Sequence, residues 1–267
     1  MVSQHRALHG GNDAYFTSPE VAKDCVEILY KFLSDREISY QTTQFVEPSA
    51  GDGSFLQFLP PTTIAYDIEP KCDNIIKANF FNVTIPPHSI VVGNPPFGFA
   101  CSIAVKFFNH SAKNKAQFIA FIVPKTFKKI SIQKKLNPQY HLYLQVDLPK
   151  KSFLVDGLPY DVPCVFQIWG FENYIRDNEV ITPEYIKFVS KENAHFSIRR
   201  VGGRAGKVLE GTNYSDSSTY FITSEIPNIK EIIDGIDFSN TVCNTSGVKS
   251  LSKKELLLAI HNHITNK

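Results

Sequence analysis

Short apolar runs alternate with amphipathic and turn-forming segments over the first 170 residues of the chain. Six runs have the length of strands, and most are apolar at nearly every position. They lie in TTQFVEP, TTIAYDIEP, SIVVGNPPF, AQFIAFIVP, YHLYLQVDLP and PCVFQIWGF. Near-continuous apolar strands separated by helical segments are typical of a sheet that is covered on both faces. The pattern therefore predicts an open, mostly parallel α/β sheet with helices on both faces.

Helical periodicity is clearest in TSPEVAKDCVEILYKFLSD. Ser18 suits the N-cap and Pro19 suits the first turn, which predicts a helix that begins there. Its apolar positions fall on one helical face: Val21, Cys25, Ile28, Leu29 and Phe32. A second, short helix is expected after the glycine-rich turn, ended by Pro60 and Pro61.

The pattern changes beyond about Gly170, where the sequence becomes mixed and polar. Near the end, SLSKKELLLAIHNHI predicts a helix with Ser250 or Ser252 near its cap. We therefore expect two domains, residues 1–170 with the sheet and residues 171–267 as a small α+β region.

Composition is that of a globular protein, with 43% hydrophobic and 20% charged residues. The five cysteines form no CxxC pair and have no histidine at metal-ligand spacing, so we expect reduced thiols and no metal site. No apolar run of 18 residues occurs, and MVSQHRALHGGND lacks the apolar core of a signal peptide. These features favour the cytoplasm or another reducing intracellular compartment and no membrane.

Positive charge is unevenly distributed, although the net charge is only +2. Between Lys125 and Lys151 there are seven lysines and one acid, Asp147. The segment from Phe196 to Lys207 contains arginines and no acid. Two basic clusters favour a polyanionic partner, and the expected phosphate contacts are Lys125, Lys128, Lys129, Arg199, Arg200 and Arg204.

The turn EPSAGDGSF, residues 47–55, follows a predicted strand, where ligands of open α/β sheets bind. A dinucleotide fits poorly, because Leu56 stands where GxGxxG needs glycine and Asp52 would meet a pyrophosphate. Glu47 and Asp52 instead suit a positively charged ligand such as S-adenosylmethionine. Asp67 ends the next strand, where a carboxylate can accept both hydroxyls of a ribose.

The stretch VVGNPPFG, residues 91–98, places an asparagine, two prolines and an aromatic ring directly after a strand. The Asn94 side-chain oxygen and the Pro95 carbonyl can accept both hydrogens of an amino group. Pro95 and Pro96 remove backbone donors and fix φ, which keeps those acceptors oriented. Phe97 offers a flat face to a base that is flipped out or unpaired. We expect Phe153 to supply the second face.

Together the motifs TSPEV, EPSAGDGSF, the strand-ending Asp67 and NPPF resemble, in the same order, the amino-methyltransferases that methylate adenine N6 in nucleic acid with S-adenosylmethionine. The arrangement is most similar to DNA adenine methyltransferases whose recognition region is C-terminal. The resemblance covers roughly residues 15–170 and implies a Rossmann-like class I methyltransferase fold.

By that resemblance the cofactor would be lined by Thr17, Glu47, Ser49, Gly51, Gly53, Asp67, Ile68, Asn79 and Asn94. The family usually has an aspartate where this chain has Asn79, which loses a charge and keeps an acceptor. Asn94, Pro95, Pro96 and Phe97 would form the catalytic turn.

Two other acceptors stay open beside adenine in DNA. The C-terminal region is small for reading a duplex sequence, which leaves room for an RNA substrate. A protein glutamine methyltransferase also clasps an amide nitrogen with an NPP-aromatic turn. A binding module without activity would be expected to have lost Asn94, Pro95 or Asp67, and all three are present.

Overall fold

A computed structural model describes most of the chain in three stretches, residues 15–176, 185–245 and 247–265. Residues 1–14, on which the expectation about a signal peptide rests, lie outside the described residues. The same holds for residues 177–184, which belong to the predicted α+β region.

The chain divides into two compact units. The first comprises residues 1–127 and 131–176 and is called the sheet unit below. The second comprises residues 128–130 and 177–267 and is called the C-terminal unit. Each unit has its own buried apolar cluster or clusters.

The strands of the sheet unit are short and most are buried. In chain order they are β1 (Phe16–Thr17), β2 (Phe45–Glu47), β3 (Ile64–Asp67), β4 (Ile76–Lys77), β5 (Ile90–Gly93), β6 (Phe118–Pro124), β7 (Tyr140–Asp147), β8 (Phe153–Val155), β9 (Leu158–Tyr160) and β10 (Cys164–Phe171). Its helices are α1 (Pro19–Ser34), α2 (Ser102–Lys113) and α3 (Ile130–Gln133), the last of which starts in the C-terminal unit. Three 3-10 turns cover Phe80–Asn82, Phe99–Cys101 and Lys125–Lys128.

Seven strands form the main sheet, in the order β4-β3-β2-β5-β6-β10-β7. The five strands from β4 to β6 run parallel, as the apolar runs predict. β10 runs antiparallel to both of its neighbours, β6 and β7. The strand order reverses between β2 and β5, which makes their carboxyl ends the expected place for a ligand.

Helices cover both faces of this sheet, as predicted. Phe45 of β2 packs in one cluster with Leu29 of α1, whereas the next residue, Val46, packs in a second cluster with Phe108 of α2. This alternation follows from the two-residue period of a strand. The prediction for α1 is confirmed at its start, because Ser18 Oγ accepts a hydrogen bond from the Val21 N–H at 3.4 Å.

One predicted element is wrong. The segment after the glycine-rich turn forms a series of turns up to Pro60 and no helix. Phe55 and Leu59 are still buried there, so the apolar spacing reports packing against the α1 side of the sheet. An apolar period over so few residues did not distinguish a short helix from consecutive turns.

A smaller three-stranded sheet, in the order β1-β8-β9, also belongs to the sheet unit. Thr17 pairs with Phe153, and Phe153 pairs with Tyr160. The connection between β8 and β9 is Asp156-Gly157, with φ values of 50° and 74°. Two positive φ values in a two-residue loop are the type I′ geometry that favours Asp-Gly.

The C-terminal unit contains helices and an antiparallel sheet. Its antiparallel sheet has the order β11-β14-β12-β13, made of β11 (Ile186–Phe188), β12 (Phe196–Arg199), β13 (Val208–Leu209) and β14 (Thr219–Ser224). Its remaining helices are α4 (Ile229–Asp234), α5 (Ser239–Val242) and α6 (Lys253–Thr265), with a 3-10 turn at Lys191–Asn193.

The terminal helix α6 begins after Ser252, one of the two predicted caps. Ser252 Oγ accepts from the Glu255 N–H at 3.3 Å, and the Ser252 N–H donates to Glu255 Oε2 at 2.8 Å. This reciprocal pair is a capping box. Buried Leu256 and Ile260 then join Phe196 and Ile222 of the sheet in one apolar cluster.

Candidate active site

The predicted acidic and amide residues meet at the carboxyl edge of the main sheet. Glu47 ends β2, Asp67 ends β3, and Asn94 follows β5 directly. Because these strands are parallel neighbours in the order β3-β2-β5, their ends lie at the same edge. Glu47 and Asn94 flank the point where the strand order reverses, which is the ligand crevice of an open α/β sheet.

Glu47 is a buried carboxyl group that forms no ion pair with any residue the structure describes. Its side chain is 2% exposed, and Oε2 has no hydrogen-bond partner. Burial raises the pKa of Glu47 well above its usual range, and the charges of Asp52 and Asp67 raise it further. An uncompensated buried carboxyl of this kind is costly unless a donor or a cation completes it.

Asp67 shapes the glycine-rich turn. Its Oδ2 accepts from the Gly51 N–H and its Oδ1 from the Glu69 N–H, both at 2.8 Å. Gly51 has a φ of 54°, and a Cβ there would lie 3.0 Å from Phe16 Cε1. Each Asp67 oxygen keeps a second lone pair, so the carboxylate can still accept a hydroxyl.

Asn94 presents one oriented acceptor. Its Nδ2 donates to the Tyr15 carbonyl at 3.0 Å, which fixes the orientation of the amide. Its Oδ1 is buried and has no partner. Because buried amide oxygens are almost always hydrogen-bonded, this one is suited to a donor from a ligand.

The turn that carries Asn94 is held from both sides. Ser49 Oγ donates to the Asn94 carbonyl at 3.2 Å, which links this turn to the glycine-rich turn. Gly93 has a φ of 150°, and a Cβ there would lie 3.2 Å from Glu47 Cγ. Pro95 is buried and Pro96 half-buried, and among the described residues no hydrogen bond uses the Pro95 carbonyl. The predicted second acceptor is therefore available.

Three aromatic rings lie near Phe97 of the NPPF turn. Phe97 lies 6.2 Å from Tyr15 with 27° between their planes, and Tyr15 stacks on Tyr160 at 5.5 Å and 15°. Phe153 meets Phe97 edge to face, at 6.3 Å and 83°, and is fully buried. Its geometry is that of a core ring beneath the site, which disagrees with the expected second face for a base.

Sequence reasoning did not include Tyr15 and Tyr160 among the functional residues. The pairing of Phe153 with Tyr160 in the β8–β9 hairpin brings the second of them here. The sequence signal for this hairpin was Asp156-Gly157 between apolar residues. No local signal marks Tyr15, whose carbonyl reaches Asn94 across 79 positions of the chain.

The other predicted cofactor residues differ in their surroundings. Thr17 is 3% exposed with an unpartnered Oγ1, which resembles the condition of Glu47 and Asn94. Gly53 has a φ of 80°, and its N–H donates to the Ala50 carbonyl. Ile68 is 59% exposed. Asn79 is exposed, and its Oδ1 accepts from the Phe81 N–H at 3.0 Å, so the acceptor kept at this position already caps a 3-10 turn.

The lysine cluster requires a correction. Lys129 is not a surface contact: it is 8% exposed, and its Nζ donates to Glu255 Oε2 at 3.3 Å and to the Ser250 carbonyl at 3.1 Å. A charge that is buried and paired within the C-terminal unit cannot reach a phosphate. Lys125 pairs with Asp147 at 2.9 Å and is partly exposed, and Lys128 is partly buried.

The three predicted arginines lie in the C-terminal unit. Arg199 donates to Ser218 Oγ at 2.9 Å, and Arg204 is exposed in the loop before β13. Arg200 lies over the ring of Tyr220, 5.1 Å from its centroid, and its Nε is buried without a partner. The three arginines therefore have different surroundings: one is hydrogen-bonded, one is exposed and one lies over an aromatic ring.

The described residues contain neither a metal-ligand cluster nor a membrane-spanning helix. Within residues 15–176, 185–245 and 247–265, no cluster of three or more His, Cys, Asp or Glu side chains is placed to hold a metal ion. Over the same stretches, every helix falls short of the length and hydrophobicity that a bilayer span requires. All five cysteines are free thiols.

Comparison with known proteins gives similarity only at the level of solved structures. No protein-family profile matches the chain, and no curated protein matches it. A Listeria monocytogenes protein assigned to the class I S-adenosylmethionine-dependent methyltransferases aligns over 60% of this chain and 62% of its own, at 12% identity and a TM-score of 0.46.

Two further structures align at similar levels. A Pyrococcus horikoshii protein described as an RNA methyltransferase covers 60% of this chain and 87% of its own, at 13% identity and a TM-score of 0.46. A modification subunit of a type I restriction enzyme from Vibrio vulnificus covers 95% of this chain and 62% of its own, at 12% identity and a TM-score of 0.45. At these TM-scores, the fold assignment rests on the strand order and directions of this chain itself.

Proposed function

We propose that this protein is an S-adenosylmethionine-dependent methyltransferase that methylates the N6 amine of adenine in nucleic acid, with DNA as the favoured substrate. The observation that carries the proposal is the Asn94 amide. Its nitrogen is tied to the Tyr15 carbonyl while its oxygen is buried and unpartnered at the ligand edge of the sheet. Such an acceptor, oriented in advance, suits an amino group.

The residues at this edge fit the proposed cofactor. Glu47 has a buried oxygen that lacks a partner, which suits the positive charge of a sulfonium or an ammonium group. Asp67 has lone pairs left for ribose hydroxyls, and the positive φ of Gly51 and Gly53 lets the turn backbone approach a ligand. When bound, S-adenosylmethionine supplies an electrophilic methyl group.

The NPPF turn supplies what an adenine amine lacks. The lone pair of that nitrogen is delocalised into the ring, so the amine is a poor nucleophile. Acceptance of its two hydrogens by Asn94 Oδ1 and the Pro95 carbonyl draws the nitrogen towards a tetrahedral geometry. Because Pro95 and Pro96 fix the backbone, this orientation exists before the substrate arrives.

A base must leave the stack to reach such a buried turn. The rings of Tyr15 and Tyr160 stack on each other near the NPPF turn, and stacking of a base on them would offset part of the cost of unstacking. Phe97 is 6% exposed and packs in the core cluster, which disagrees with the open face expected of it. Tyr160 replaces Phe153 in this role, because Phe153 is fully buried.

The experiment that tests the proposal identifies the acceptor. The full chain is incubated with methyl-labelled S-adenosylmethionine and, in parallel, duplex DNA, single-stranded DNA, RNA and total cell protein. The modified polymer is then digested to nucleosides. The expected product is N6-methyladenine, formed most rapidly in DNA.

Each other outcome of this experiment has a meaning. Label in RNA alone would replace DNA by RNA as the substrate, and label in cytosine would contradict the assignment of the amine. Label in protein alone would indicate a glutamine methyltransferase and refute the proposed function. No label in any acceptor, from a chain that still binds the cofactor, would indicate a binding module.

A further inference from the structure

A cavity of about 360 Å³ lies within the C-terminal unit. Its walls come from the segment after β11, from Arg200, from the start of β14 and from the start of α6. The volume falls in the range of small-molecule sites. All of its lining residues belong to this unit, and none of them is a residue of the candidate active site.

The charge of the cavity is positive on balance. Its cations are Lys191, Arg200 and Lys253, and its acids are Glu192 and Asp216. Lys191 is engaged, because its Nζ donates to Asn213 Oδ1 at 3.1 Å. Lys253 lies over the Phe188 ring, 4.5 Å from its centroid.

Arg200 is the group that points to a ligand. Its guanidinium stacks on Tyr220, and its Nε is buried with no acceptor, whereas the nearby Arg199 donates to Ser218. A guanidinium carries five N–H donors in a planar fork that matches the oxygens of a phosphate or a carboxylate. The Nε lies beneath the surface, so an anion in the cavity would be held by the other N–H donors of Arg200, a residue that lines the cavity.

The two carboxylates that line the cavity limit the kinds of anion that can bind there. Glu192 and Asp216 are exposed members of the lining, and they repel a small free anion. The same carboxylates can accept hydroxyls, as a carboxylate does from a ribose. A ligand that presents a phosphate to Arg200 and sugar hydroxyls to Glu192 or Asp216 satisfies both sets of groups, and a cavity of 360 Å³ holds more than a phosphate alone.

We propose that this cavity binds one nucleotide, with its phosphate on Arg200 and its sugar towards the two acids. The proposal does not rest on DNA as the substrate of the proposed function, because a nucleotide inside a DNA strand has no free sugar hydroxyl. Its source is an RNA strand or a free ribonucleotide. The proposal gives the C-terminal unit a defined contact with a single unpaired nucleotide, which has less need of a large duplex-reading surface.

The test measures binding of four probes to the full chain by titration calorimetry: uridine 5′-monophosphate, uridine, inorganic phosphate and a hexauridylate. We expect the monophosphate to bind more tightly than uridine and than inorganic phosphate. Tighter binding of hexauridylate than of the monophosphate would support nucleic acid as the source, and equal binding would support a free nucleotide in the same cavity.

Two variants with the same loss of charge separate the cavity from general electrostatics. Arg200→Gln removes the unpartnered guanidinium and should weaken monophosphate binding about tenfold or more. Lys187→Gln removes an exposed lysine of β11 that does not line the cavity, and it should change binding less than twofold. Arg200→Lys keeps the charge without the fork and should give an intermediate affinity.

The fold and the proposed function are monitored separately. Thermal unfolding and S-adenosylmethionine binding should be the same in Arg200→Gln and in the unaltered chain. The inference is overturned if Arg200→Gln binds the monophosphate as tightly as the unaltered chain does, or if Lys187→Gln loses as much monophosphate affinity as Arg200→Gln. It is also overturned if inorganic phosphate binds as tightly as the monophosphate. Those results would leave the methyltransferase proposal standing.

Discussion

The carboxyl edge of the main sheet and the cavity of the C-terminal unit both contain buried polar atoms without partners, but of opposite kinds. At the sheet edge they are acceptors, Glu47 Oε2 and Asn94 Oδ1. Next to the cavity it is a donor, Nε of the lining residue Arg200. Since a native fold pairs nearly all of its buried polar groups, unpaired ones at a ligand crevice or next to a cavity are candidate contacts for a ligand.

The difference between the two regions describes two kinds of ligand. The sheet edge suits a ligand that carries positive charge and N–H donors, which describes a sulfonium cofactor and an amino group. The cavity suits an anion. A methyltransferase of nucleic acid needs both, because the methyl donor is cationic and the polymer is a chain of phosphates.

The largest expected effect concerns Asn94. Asn94→Ala removes the oriented acceptor and should lower the rate of methyl transfer by about a hundred- to a thousand-fold, as the loss of one oriented hydrogen-bonding group does in other enzymes. Cofactor affinity should change little. Rate and affinity are measured on the same preparation, with the exposed Asn82→Ala as the matched control. A rate within threefold of the unaltered chain would contradict the role of Asn94.

The next prediction compares the free energy of unfolding after removal of two cations of the C-terminal unit, Lys129, which is ion-paired, and Arg200, which forms no ion pair within the described stretches. Lys129→Ala leaves Glu255 buried without its partner and should lower the free energy of unfolding by about 3–5 kcal/mol. Arg200→Gln removes a half-buried guanidinium that lies over Tyr220 and forms no ion pair there, and it should change the free energy of unfolding by less than about 1 kcal/mol. Denaturant unfolding measures both, and equal losses would contradict the assignment of Arg200 to a ligand.

Smaller effects are expected for Glu47→Gln, which should raise the stability of the protein and lower its affinity for the cofactor. The raised pKa means that the folded state disfavours the ionised carboxyl, so the stability contributed by this group is present below about pH 4.3 and is lost as pH rises through the raised pKa. Glu47→Gln should therefore be the more stable protein without cofactor, increasingly so above that pH. It should bind S-adenosylmethionine about tenfold more weakly.

The control for this variant is Glu27→Gln, on the exposed face of α1. It should change neither the pH dependence of stability nor the affinity for the cofactor. Stability is measured by denaturant unfolding from pH 4 to pH 8. A Glu47→Gln protein that is less stable than the unaltered chain over this whole range would show that the carboxyl is paired in solution.

The smallest effect concerns Lys134 and Lys135. Both are exposed lysines of the lysine-rich segment between Lys125 and Lys151, in which Lys129 is buried. Replacement of both by glutamine should weaken binding to nucleic acid at low salt and lower the slope of log affinity against log salt by about 1 for each lost phosphate contact. The slope is measured by fluorescence anisotropy. An unchanged slope would place both lysines away from the polymer.

Much of the sheet unit follows from local rules in the sequence. The cap at Ser18, the buried face of α1 and the apolar strands β5, β6 and β10 all depend on neighbours within a few residues. The position of Glu47, Asp67 and Asn94 at one edge follows from a general property of parallel sheets. These features could be predicted because each is fixed by short-range pattern.

What the sequence did not reveal depends on distant contacts. Lys129 reads as one lysine of a basic run, and only its contact with Glu255, 126 positions away, shows that it is buried. Phe153 reads as an aromatic beside a loop, and its pairing with Thr17 and Tyr160 puts it into the core. The Tyr15 carbonyl carries no side-chain signal at all. Composition and periodicity do not specify which distant residue completes a charge or an amide.

The most direct test of the central claim is the number of protons released when S-adenosylmethionine binds. Titration calorimetry at several pH values between 5 and 8, in two buffers of different ionisation enthalpy, gives this number at each pH. If the cationic cofactor completes Glu47, it lowers the raised pKa of that carboxyl, so the unaltered chain should release more protons than Glu47→Gln does. Equal proton release by the two proteins would contradict the account, because the buried acceptor at the sheet edge would then have no part in holding the methyl donor.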